Sequence, residues 1–122
     1  MHRIWIGLGS LAGLTGVAMA AAAAHGLPQR LDPAALHWVR NALQMQGWHA
    51  LALVACGIWT LRGAPALVGW AAGAFALGIL LFCGGVYALA LAGVRLPGMA
   101  PVGGGLLMLG WALLGLAALR AG

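Results

Sequence analysis

Four long apolar runs, separated by short polar breaks, dominate the chain: Ile4–Ala24, Leu43–Leu61, Ala66–Ala92 and Val102–Leu119. Each is close to or beyond the ~20 residues that an α-helix needs to cross a bilayer. The breaks carry the residues that stop and start helices. His25-Gly26-Leu27-Pro28 ends the first run, Arg62-Gly63-Ala64-Pro65 makes a tight turn, and Gly93–Ala100, with Arg95 and Pro97, leads to Pro101 at the opening of the fourth. Asp32-Pro33 supplies an N-cap followed by a first-turn proline. From 34 to 44 the pattern changes. His37, Arg40, Asn41 and Gln44 recur at three- and four-residue spacing on one face, with Leu36, Trp38, Val39 and Leu43 off it. That predicts an amphipathic segment in the headgroup layer, bent into the second span at Gly47. A single tilted helix from Ala34 to Leu61 fits the same pattern.

The expected fold is an all-α integral membrane protein, an antiparallel bundle of four transmembrane helices forming one domain over 1–122. Gly9 and Gly13, and again Gly69 and Gly73, form G-x-x-x-G pairs, and Gly84-Gly85 lies late in the third run. These offer smooth faces for close helix approach. The first run imitates a secretory signal, with a basic start and Ala18-Met19-Ala20, yet its apolarity continues to Ala24 and it reads as a helix.

Composition strengthens this picture. Hydrophobic residues make up 64% of the chain and charged residues 6%, against about a quarter charged in a soluble domain. The mean hydropathy of +1.02 agrees. The net charge of +5 comes from six arginines and one acid, Asp32. The arginines are scattered singly at the edges of apolar runs, where they anchor to headgroups and form no patch for nucleic acid. Arg3, Arg62 and Arg120 fall on one side of the membrane and Arg30, Arg40 and Arg95 on the other, so the positive-inside count is tied. Both termini are placed in the cytoplasm because the arginines of the first loop are unclustered. Trp5, Trp38, Trp59 and Trp70 lie near span ends, as interfacial aromatics do. Cys56 and Cys83 lie deep in apolar runs without metal or redox spacing.

Several stretches, taken in order, resemble one family. They are His25-Gly26-Leu27, Gln46-x-x-His49-Ala50-Leu51-Ala52-Leu53, Gly78-Ile79-Leu80-Leu81-Phe82-Cys83-Gly84 with Tyr87, and Pro101-x-Gly103-Gly104 with Gly110-Trp111. The chain is similar over nearly its whole length to the domain of unknown function 423 family, which includes human transmembrane protein 256. The resemblance implies four transmembrane helices in a bacterial inner or mitochondrial membrane, and no established activity. The chain departs from the family at Phe82-Cys83-Gly84-Gly85, where Phe-Ser-Gly-Ser is expected, and at Trp48, where tyrosine is frequent.

Candidate chemistry is sparse. Gln46 and His49 enter the second span, and polar side chains there are expensive unless satisfied. His49 would lie roughly 9 Å below the surface of a span starting at Leu43. With His25 and Arg40 they form the candidate intramembrane polar cluster. An imidazole pair suits haem or copper, but the two histidines differ in depth and lack a carboxylate partner, so neither haem nor metal is expected. His49 is expected instead to donate to a carbonyl or to Gln46 across the bundle, and His25 to cap the first helix. No catalytic set is visible, and no charged residue lies in mid-span to suggest a channel. The expected role is structural or accessory, within a larger membrane complex or homo-oligomer in the bilayer. The alternative is a site for a lipid, quinone or haem beside the second helix.

Overall fold

The computed structural model describes residues 2–121, so the end positions of the domain expected over 1–122 lie outside the described residues. Four α-helices follow one another: α1 (His2–His25), α2 (Pro33–Leu61), α3 (Ala66–Ala92) and α4 (Met99–Ala121), with a short 3-10 turn at Leu27–Gln29. Among the described residues there is no strand. The ends have local causes. Asp32 Oδ1 accepts the Ala35 N–H at 2.7 Å, one of the donors a helix start leaves free, and Pro33 occupies the first turn. At the far end of α3, Gly93 adopts φ 68°, a left-handed conformation open to glycine. Its N–H reaches Leu89 O at 3.1 Å, and Val94 N–H reaches Ala88 O at 3.1 Å.

Of the two readings of the second segment, the continuous helix is the one found: residues 34–44 run on through Gly47 into the rest of α2, whose 29 residues are all helical. Gly47 lies between Gln46 and His49, whose side chains are bonded to other helices, and no proline interrupts the ladder there. The fourth helix starts at Met99 rather than Val102, because Pro101 is its third residue. A proline there removes an N–H that had no intrahelical acceptor anyway.

By length and apolarity α1, α3 and α4 are each able to cross a membrane. The longest helix, α2, is long enough but is diluted by Arg40, Asn41, Gln44, Gln46 and His49.

Many of the buried residues are small, and many large apolar side chains face outward. Ala23, Val39, Ala42, Ala52, Ala71, Ala72 and Ala117 are buried, whereas Leu14, Val17, Leu51, Trp70, Met108 and Leu119 are each about 70–80% exposed. Water would expel such a surface, whereas lipid matches it. Each helix meets its sequence neighbour in reverse order. Gly9 faces Ala50 and Val54 while Gly57 faces His2 and Ile6; Gly78 faces Gly103 and Leu107 while Gly85 faces Ala100.

The six glycines expected at helix contacts behave differently from one another. A methyl on Gly9 would stand 2.8 Å from Ala50 O, and one on Gly85 would stand 3.3 Å from Ala100 N. Gly13 and Gly69 face open space, and Gly73 and Gly84 have only a side-chain tip at 4.0 Å. Closer approaches than at Gly9 occur at Gly57, Gly103 and Gly110, and an equal one at Gly78, none of which the motif pairs include. At Gly103 a methyl would come within 2.8 Å of Phe82 Cα, which is backbone and cannot rotate away. Gly103→Ala is therefore expected to lower stability in detergent by about 1–3 kcal/mol. Gly13→Ala and Gly69→Ala should stay within about 0.5 kcal/mol of the parent. Equal losses at all three sites in a denaturation series would contradict this packing.

Candidate functional site

Gln46 and His49 sit near the middle of α2, between two apolar clusters. Ala23, Ala35, Val39 and Ala90 form one, and Trp5, Leu53, Cys56, Val68, Phe75 and Leu107 belong to the other. Both polar side chains are buried, Gln46 to 5% and His49 to 1% exposure. An amide in hydrocarbon without partners costs about 4–8 kcal/mol, so where its bonds go is the central question.

The Gln46 amide is filled from two helices. Its Nε2 donates to Ala12 O at 2.9 Å and to Thr15 Oγ1 at 2.9 Å, both on α1. Its Oε1 accepts the Tyr87 hydroxyl of α3 at 2.8 Å. Thr15 passes its own hydrogen to Leu11 O at 2.9 Å. The amide orientation follows from these partners, since Ala12 O can only accept and must face the NH2 group. Gly16 of α1 lies beside this amide, where a methyl would be in ordinary contact with Gln46 Nε2 at 3.6 Å.

His49 ties α2 to α4. Trp111 Nε1, which can only donate, points to His49 Nε2 at 2.9 Å. Nε2 is therefore the acceptor nitrogen, and Nδ1 carries the hydrogen, donating to Met45 O at 2.6 Å. The ring is neutral in this arrangement with both nitrogens engaged. Phe75 of α3 completes an aromatic triad, its centroid 5.6 Å from His49 and 5.1 Å from Trp111. Glycine at 110 allows this, because a methyl would stand 2.6 Å from the Phe75 ring.

The other two members of the expected cluster lie elsewhere. His25 and Arg40 are exposed, His25 at the end of α1 and Arg40 on the outward polar face of α2 with His37, Asn41 and Gln44. The structure thus joins Gln46 and His49 to Thr15, Tyr87 and Trp111, and leaves His25 and Arg40 outside. Thr15 looks solitary in sequence, and Trp111 reads equally as core or surface. The signal that finds them is the unmet demand of Gln46 and His49 for partners on other helices.

The thiols are buried and unpaired, with Cys83 Sγ donating to Ala42 O at 3.3 Å. Among the described residues, the buried side-chain nitrogen left without a partner is Trp5 Nε1. No three His, Cys, Asp or Glu side chains among the described residues gather where they could hold a metal.

Residues 19–104 match the family described as "Protein of unknown function (DUF423)". The chain is similar to a UPF0382 membrane protein of Haemophilus influenzae, 36% identical over 91% of this chain and 90% of the relative. It is also similar to the UPF0382 inner membrane protein YgdD of Escherichia coli, 32% identical over 97% of this chain and 91% of the relative. A UPF0382 membrane protein of Staphylococcus epidermidis is 34% identical over 97% of both chains. No solved structure matches the chain significantly.

Interhelical hydrogen bonds in membranes average about 0.6 kcal/mol each, with a maximum of about 1.7. Gln46→Leu, which loses three such bonds and strands the Tyr87 hydroxyl, is expected to destabilise by about 2–4 kcal/mol. In a double-mutant cycle with Tyr87→Phe the losses should be less than additive; strict additivity would break the proposed bond. Ring-nitrogen NMR of labelled protein should show His49 as the Nδ1–H tautomer, and an Nε2–H signal would contradict the Trp111 contact.

Proposed function

The chain belongs to the DUF423 family of membrane proteins, and from that premise we propose that it works by contact, as a structural or accessory protein that assembles with a larger membrane complex or with its own copies. One observation carries the reading: the hydrogen-bonding groups of Gln46 and His49 are turned inward onto α1, α3 and α4. They act as clasps that hold four helices in one arrangement and present a defined apolar exterior. A ligand site using Gln46 and His49 would have to break those bonds, and His25 and Arg40 lie too far outward to complete it.

In this reading all four helices cross the inner membrane as an antiparallel bundle. The polar atoms of α2 that would oppose insertion are answered by other helices. Its outward stripe of His37, Arg40, Asn41 and Gln44 sits in the headgroup layer. Glycine-lined contacts at Gly9 and Gly85 bring neighbouring helices close. Both termini then face the cytoplasm.

Native mass spectrometry after mild solubilisation should give a discrete protein assembly heavier than one 12.3 kDa chain; a lone chain under every mild condition would overturn the assembly reading. Fluorescent-protein fusions at each terminus should both report the cytoplasm. Termini on opposite sides would mean an odd number of crossings.

A further inference from the structure

A cleft of about 420 Å³ opens where α2 begins, α3 ends and α4 starts, lined among others by Trp38, Asn41, Phe82, Leu89, Arg95 and Pro97. This volume falls within the ~300–1,000 Å³ of small-molecule sites. It is smaller than three other grooves of about 720, 610 and 430 Å³, but none of those is lined by a charged side chain. The difference in lining decides what each can hold. The larger grooves are lined mainly by apolar side chains, with uncharged polar groups such as Thr60 in one and Thr15, Gln46 and Tyr87 in another, whereas this cleft joins a cation, an amide and an aromatic ring over an apolar floor.

Among the described residues, the charge of Arg95 is not answered by any carboxylate. Asp32 is the only acidic residue in the sequence, and its Oδ1 is held by Ala35 N at 2.7 Å at the start of α2. Arg95 and Asn41 are both exposed, and among the described residues neither side chain makes a hydrogen bond. A guanidinium presents a planar fork of donors that fits phosphate oxygens in pairs. Asn41 adds an amide donor, and Trp38, 42% exposed, supplies a ring of the type enriched at headgroup level. Phe82 and Leu89 lie below, where the first methylenes of an acyl chain would enter.

We propose that this cleft binds the headgroup of an anionic phospholipid, its phosphate on Arg95 and Asn41 and its glycerol end against Trp38. The same absence of carboxylates sets the selectivity. A zwitterionic headgroup brings an ammonium group that would meet Arg95 with no acid side chain nearby to accept it. The site shares no residue with the Gln46 and His49 clasps, and the proposal stands whether or not the chain assembles with partners.

The test is native mass spectrometry of protein from micelles containing equal phosphatidylglycerol and phosphatidylcholine. Wild type should retain phosphatidylglycerol in preference to phosphatidylcholine. Arg95→Gln should lower the retained phosphatidylglycerol about fivefold, the effect of one arginine at an anionic surface. Arg30→Gln, at the same end of the molecule but outside the cleft, should leave retention unchanged. Equal loss in both variants would reduce the effect to a general basic rim and overturn the site. Equal retention of both lipids by wild type would overturn the selectivity, and displacement of phosphatidylglycerol by millimolar inorganic phosphate would assign the cleft to free phosphate. If Arg95→Gln loses helicity, the lipid preference of wild type and the response of Asn41→Leu, expected to weaken phosphatidylglycerol retention, decide the matter.

Discussion

The Gln46 side chain is the constraint on which the rest of the arrangement depends. A carboxamide buried to 5% exposure near the middle of a long helix has no water to turn to, and leaving it unpaired would cost more than any single apolar contact returns. Its two donors and its acceptor are met by Ala12 and Thr15 on one side and Tyr87 on the other. Those partners must arrive together, at one depth and one rotation of α1 and α3. Apolar packing between smooth helices is permissive about sliding and rotation; an amide with three directional partners is not.

His49 extends the same logic to α4. The indole of Trp111 has one hydrogen to give, and His49 receives it only in the tautomer that donates to Met45 O. Phe75 lies against both rings, held close by the missing side chain at Gly110. The two polar residues, one turn apart on α2, thus bind three other helices to it. Apolar clusters on either side of this layer are built mainly from alanine and other small residues, which bring backbones close without selecting a register themselves. Specific register from polar bonds and close approach from small residues are complementary requirements, and the chain meets both.

The chain's charge is distributed by a different principle. Six arginines face a single acidic residue, Asp32, so most of them have no acidic side chain to pair with. Arg95 differs because the turn between α3 and α4 places it over a cleft with an aromatic wall and an apolar floor. A headgroup there would touch three elements at once, which a flat membrane surface does not offer.

The sequence by itself determined the class of the protein. Long apolar runs, scarce charge and helix-stopping turns leave no soluble alternative, and local chemistry at Asp32-Pro33 and Gly93 sets helix ends within a few residues. It also singled out Gln46 and His49, because polarity inside an apolar run is visible without any structure. Tertiary structure alone decided who answers them. Thr15, Tyr87 and Trp111 are 31, 41 and 62 residues away, and no periodicity along the chain encodes which rotation of each helix brings them inward. The glycines show the same division. G-x-x-x-G spacing marks a face that permits close approach, but Gly13 and Gly69 face open space while Gly57, Gly103 and Gly110 take the tightest contacts. Which permitted face is used depends on where the polar bonds lock the helices, a property of the assembled bundle and not of any one segment.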